Sequence, residues 1–100
     1  MWYEWDDAKS WANVAKHGIG FETASRIFAG PIVTAEDARR DYGETRLNSI
    51  GAVEGVAIVV VTHTDRRGII RIISARPANR AERKRYEEAV RTGTVPRGTG

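Results

Sequence analysis

Two apolar, β-branched runs joined by four polar residues limit this chain more than any other feature. Residues 56–64 read Val-Ala-Ile-Val-Val-Val-Thr-His-Thr, and residues 69–76 read Ile-Ile-Arg-Ile-Ile-Ser-Ala-Arg. Between them stands Asp65-Arg66-Arg67-Gly68, which has the composition of a hairpin turn. β-branched side chains suit a pleated, half-buried surface, and so short a connection joins only antiparallel neighbours. A third run, residues 44–51, alternates Thr45, Leu47 and Ser49 with Arg46, Asn48 and Ile50, and a turn over 52–55 links it to the second. Together they make a meander. Residues 32–35 supply a further short strand, placed at an edge because Pro31 opens it without an N–H to donate.

Helices frame this sheet. Asp6 is a good N-cap for a helix over 7–17, and Gly18 is the residue expected just past its end. Ala8, Trp11, Ala12 and Ala15 fall on one helical stripe, expected to face the core. A second helix spans 21–29, with Phe21, Ala24, Ile27 and Phe28 inward, and Gly30-Pro31 stops it. Asn79 and Glu82 have the spacing of a capping box and start a third helix that runs to about residue 91. Its apolar contacts are Tyr86, Ala89 and Val90. Residues 2–5 read as an extended lead-in. Trp2, Trp5, Trp11 and Tyr86 are expected to pack rather than stand in water. The order is α-α-β-β-β-β-α, an α+β fold with a single antiparallel sheet. Residues 1–91 form one domain. Residues 36–43 are expected to be a mobile connection, and 92–100 a flexible tail.

Charge is unevenly spread. The net +3 divides into −4 over residues 1–65 (six Lys/Arg, ten Asp/Glu) and +7 over residues 66–100 (ten Lys/Arg, three Asp/Glu). A basic third on a near-neutral body suits a polyanion. There is no cysteine, which rules out a disulfide framework and fits a reducing compartment such as the cytoplasm. No apolar run approaches the roughly 18 residues of a membrane span, and the acidic, aromatic opening is unlike a signal peptide.

His17 and His63 are the only histidines, and neither has ligand spacing to another donor, so no metal or cofactor is expected. What remains is a basic constellation. Arg46 and Arg71 lie within strands, Arg66 in a hairpin, Arg76 at a strand end and Arg83 on the third helix. Arginine forks onto phosphate and stabilises charge that builds in a transition state. RNA cleavage without a metal needs such cations and a base for the 2′-hydroxyl, for which Glu44, His17 or a lysine would serve. Arg46 and Arg71 have a second reading as cross-strand partners of acids, and His63 reads as a surface residue beside a turn rather than a catalytic one.

Tyr3-Glu4-Trp5-Asp6 with Lys9, Asn13, Lys16-His17-Gly18 and Phe21-Glu22 resembles the opening of the BrnT toxins. Phe28, Pro31, Gly43-Glu44, Arg46, Ile50-Gly51, Thr64 and Arg66 continue the resemblance. The run Ile70-Arg71-Ile72-Ile73-Ser74-Ala75-Arg76, Glu82-Arg83 and Tyr86 completes it over about residues 3–88. Pro77 and His63 depart from it, standing where Lys and Tyr are more usual.

The resemblance implies a RelE-like fold and a toxin of a type II toxin–antitoxin system. It also implies that the toxin cleaves RNA, blocks translation and is neutralised by a BrnA-like antitoxin. Operator DNA would be met only through the toxin–antitoxin hetero-oligomer. On this reading His17, Glu44, Arg66 and Arg76 are catalytic, while Lys16, Arg46, Arg71 and Arg83 hold RNA. The alternative is a non-catalytic nucleic-acid- or partner-binding module using the same basic face. Regular alternation puts Arg71 and Arg76 on opposite sheet faces, so only one of them, expected to be Arg76, would meet RNA.

Overall fold

The computed structural model describes residues 2–37 and 43–93. Three helices flank a single five-stranded sheet. In chain order the elements are β1 (Trp2–Glu4), α1 (Asp7–His17), α2 (Phe21–Ser25), a 3-10 turn (Arg26–Ala29), β2 (Ile32–Glu36), β3 (Leu47–Val53), β4 (Ala57–Arg66), β5 (Ile69–Pro77) and α3 (Arg80–Arg91). The α+β class holds. The expected order gains one strand, because the lead-in is β1 and pairs in parallel with β5 through Trp2–Ile69, Tyr3–Ile70 and Glu4–Arg71. The sheet is therefore mixed, in the order β1-β5-β4-β3-β2. Among the described residues no helix is long and apolar enough to cross a membrane.

The meander forms where the β-branched runs and turns place it. The β4–β5 hairpin closes through Arg67 and Gly68, both with positive φ, and Asp65 Oδ1 accepts from the Gly68 N–H at 2.9 Å. β3 begins and ends later than the sequence suggests, and its turn is Glu54-Gly55-Val56. The expected mobile connection divides. Glu36 closes β2 and Asp37 is buried, while residues 38–42 lie outside the described residues, as do residues 94–100 of the expected tail.

One sheet face carries the main core. Phe21, Ala24, Ile27 and Phe28, from α2 and the 3-10 turn, pack on Val59, Val61, Ile72 and Ala75. Gly51 belongs to that face by register, and a Cβ there would stand 2.6 Å from the Ile27 Cβ. The 3-10 turn thus sits directly on the strand backbone. The other face is apolar at one end only, where Tyr86 of α3 and Ala78 meet Ile50 and Val60. Tyr86 also donates its hydroxyl hydrogen to the Pro31 carbonyl at 2.9 Å. Burying the ring while its polar tip keeps a partner docks α3 through one residue. Val90, expected to help, is 43% exposed.

The tryptophans do not form a core. Trp2 and Trp11 are 77% and 75% exposed, and only Trp5 packs against the main cluster. The stripe Ala8, Trp11, Ala12 and Ala15 faces outward, and the buried residues of α1 are Ser10 and Asn13. The cause lies in what α1 meets. β1 pairs with β5 only over Ile69–Arg71, which leaves the later β5 backbone without a strand partner on that side. Buried backbone groups need hydrogen bonds, and an apolar helix face has none to give.

Candidate functional site

The amide of Asn13 supplies what a strand would. Its Nδ2 donates to the Ala75 carbonyl at 2.7 Å and to the Ile19 carbonyl at 2.8 Å, and its Oδ1 accepts from the Ala75 N–H at 3.4 Å. One turn earlier, Ser10 Oγ accepts from the Phe21 N–H at 2.9 Å. These bonds fix α1 against the later part of β5 and the start of α2. Gly18, at φ 75°, closes the helix by donating its N–H to the Val14 carbonyl. The last turn, with Lys16 and His17, is thereby held at the mouth of a cleft of about 450 Å³.

Lys16, His17, Glu36, Asp37, Asn48, Thr62, Ser74, Ala75 and Arg76 line the cleft. Its floor is a cross-strand row, Asn48–Thr62–Ser74, in which Thr62 Oγ1 donates to Asn48 Oδ1 at 2.6 Å. The adjacent row, Ile50–Val60–Arg76, brings Arg76 to the edge of the floor. Cations thus stand on one side and two carboxylates on another, above short polar side chains. Such a site can grip a phosphodiester, hydrogen-bond the sugar beside it and move a proton through the imidazole.

The register of β5 overturns the expectation about its two arginines. Thr62 pairs with Ser74, but the next residue, His63, pairs with Ile72, leaving Ile73 as a bulge. One extra residue resets the alternation. Ile70, Ile72 and Ala75 therefore turn to the main core, while Arg71, Ser74 and Arg76 share the cleft face. Both arginines also hold carboxylates. Arg71 Nη1 lies 3.5 Å from Glu4 Oε1. Arg76 forks onto Glu82, Nη1 to Oε1 at 2.7 Å and Nη2 to Oε2 at 2.9 Å. That hydrogen-bonded fork, with further help from the Asn79 N–H and Arg85, holds the Glu82 carboxyl down to about 2 against the cost of its burial.

Of the residues singled out in the sequence, Lys16, His17 and Arg76 line the cleft. Glu44 and Arg66 pair with each other at 3.3 Å and lie outside its lining. Arg46 immediately precedes β3, and its carbonyl accepts from the Asp37 N–H at 2.7 Å. Arg83 is exposed on α3. Sequence reasoning missed Asn48, Thr62 and Ser74; their signal was three short polar residues interrupting β-branched strands. Among the described residues, no three His, Cys, Asp or Glu side chains are grouped as metal ligands would be.

His63 is not the surface residue expected. It is 5% exposed on the face opposite the cleft, with Nε2 2.8 Å from Ser49 Oγ and the Phe28 ring edge-on at 4.9 Å. Ser49 Oγ in turn meets Thr34 Oγ1 at 2.7 Å. Burial pushes the imidazole down to about 4, opposed by the charge of Asp65.

No curated protein matches the chain. Among solved structures it is similar to the crystal structure of the Brucella abortus ribonuclease toxin BrnT, at 25% identity and a TM-score of 0.60. That match covers 80% of this chain and all of the Brucella one. The family model for the BrnT ribonuclease toxin of type II toxin–antitoxin systems matches residues 5–82, which span α1, the whole meander and the start of α3. The chain therefore belongs to the BrnT family of ribonuclease toxins of type II toxin–antitoxin systems.

Proposed function

We propose that this toxin is a metal-independent endoribonuclease that works in the cleft between the end of α1 and β5. The observation that carries the reading is the convergence of Lys16, His17 and Arg76 on one cavity with a hydrogen-bonding floor. His17 takes the proton of a ribose 2′-hydroxyl. The freed oxygen attacks the adjacent phosphorus as the bond to the 5′-oxygen breaks, and the leaving oxygen takes a proton from water at the open mouth. Arg76 and Lys16 hold the charge that collects on the phosphoryl oxygens, where preorganised cations contribute most. Asn48 and Ser74 orient the sugar. Arg71, on the same face, extends the grip along the strand. Cleavage of cellular RNA in the cytoplasm would block translation, and a BrnA-like antitoxin would neutralise the protein by hetero-oligomer formation, with operator DNA met only through that partner.

The test is purified toxin on a defined RNA with excess EDTA. Cleavage should persist and leave a 2′,3′-cyclic phosphate, and Arg76→Ala should lose roughly 100-fold or more in kcat/KM. Loss of activity with EDTA, restored by a divalent ion, would defeat metal independence. Undiminished activity of Arg76→Ala would remove the cleft from the mechanism.

A further inference from the structure

Arg76 reaches the cleft from a side chain whose guanidinium is already engaged. Both Glu82 oxygens accept from it, at 2.7 and 2.9 Å, and only 16% of the Glu82 side chain is exposed. The same Oε1 accepts from the Asn79 N–H at 2.9 Å, while Asn79 Oδ1 accepts from the Glu82 N–H at 2.8 Å. Arg76 is thus clamped to the capping box that begins α3. α3 is in turn seated by buried Tyr86. A lone arginine side chain has about 2 kcal/mol of rotamer entropy to lose on becoming ordered. A planar, two-point fork removes that freedom in advance, and the Pro77 carbonyl, accepting from the same Nη1 at 3.4 Å, fixes the guanidinium plane further.

We infer that Glu82 is a positioning residue for RNA cleavage, orienting Arg76 toward the phosphate rather than merely capping α3. This rests on the reading of Arg76 as the phosphate-holding cation. Removing the carboxylate charge leaves Arg76 at least as attractive to an anion, so ground-state binding should survive. What is lost is the geometry in which the guanidinium meets the transition state, and small misplacements of that kind cost up to about 100-fold. Glu82→Gln separates the two roles, because glutamine still serves a capping box but cannot make the charged fork.

The experiment measures kcat and KM for cleavage of a defined RNA by the full chain and its Glu82→Gln, Arg76→Ala and double variants. Glu82→Gln is expected to lose about 10-fold to 100-fold in kcat with KM unchanged or lower. In the Arg76→Ala background the same substitution should have an effect under about twofold. Wild-type kcat in Glu82→Gln beside an impaired Arg76→Ala overturns the positioning role alone. So does a full additive loss in the double variant, which would mean that Glu82 acts through something other than Arg76. An undiminished Arg76→Ala overturns the phosphate role of Arg76 and the inference with it. Glu82→Ala, which breaks cap and fork together, should lose more thermal stability than Glu82→Gln, which loses the charged fork alone; equal melting of the two beside equal kcat losses would place the effect in the helix cap and also overturn the inference.

Discussion

The two faces of the sheet use the same strands differently. Under α2 and the 3-10 turn, Ile72 and Val61 are sealed and Gly51 yields its side-chain space to Ile27. On the other face Ile50, Val60 and Tyr86 close one end, and Asn48, Thr62 and Ser74 leave the other open. Stability is concentrated where the strands are covered, and reactive groups collect where they are not. A single bulged residue, Ile73, lets β5 supply apolar groups to one face and two arginines to the other. The contrast teaches that in a chain of this size the site can be changed with little penalty, provided changes keep to the open face.

Substitutions on either side of the β5 bulge give the strongest way to break the contrast. Ile72→Ala should cost about 2–5 kcal/mol through lost burial and a residual cavity. Ser74→Ala should stay within about 0.5 kcal/mol in stability while lowering cleavage about tenfold through a lost substrate hydrogen bond. Urea unfolding and cleavage rates of the two variants decide it; equal destabilisation would erase the division of labour.

Acid probes the covered face next. The unfolded His63 side chain binds a proton with its ordinary value of 6.5, and the folded one only near 4. The unfolded state therefore holds more protons between those values. The stability that the neutral imidazole contributes is complete above 6.5 and falls as pH drops toward 4, by at most about 3 kcal/mol. Glu82 acts in a lower window. Its depressed carboxyl contributes above 4.5 and loses that contribution only as pH falls toward 2. His63→Phe should flatten the dependence of the urea midpoint between about pH 6.5 and about pH 4.5. An unchanged slope would show that His63 is not its source. The smallest effect belongs to the pair Arg26–Glu54, whose side chains are 52% and 66% exposed. Arg26→Ala should cost at most about 1 kcal/mol by thermal melting, and a larger loss would show that exposed charge adds materially to the covered face.

Local signals in the sequence proved dependable. Asp6, Gly18, Asn79 and Glu82 bound their helices as read, because a cap is settled within four residues. The three main strands followed from β-branching and turns. What stayed hidden depended on distant partners. β1 is three residues long and becomes a strand only against β5, more than 60 residues away. The stripe of α1 was visible but not which way it faced, since that depends on the unpaired backbone of β5. The bulge at Ile73 has no local composition to announce it, so both faces of β5 were misassigned beyond Ile72. Lys16, His17 and Arg76 could be named as candidates from residue type, but their convergence required Asn13 to find Ala75.

That amide also bears on association. A sheet edge with unpaired backbone groups is a template for another chain, and proteins that leave one long and flat risk edge-to-edge aggregation. Asn13 occupies the β5 edge where β1 stops, so the strand carrying Arg71 and Arg76 offers no docking register there. A side chain used in this way serves as a one-residue strand that cannot propagate. The toxin keeps its most basic strand beside solvent without leaving it open to the next copy of itself.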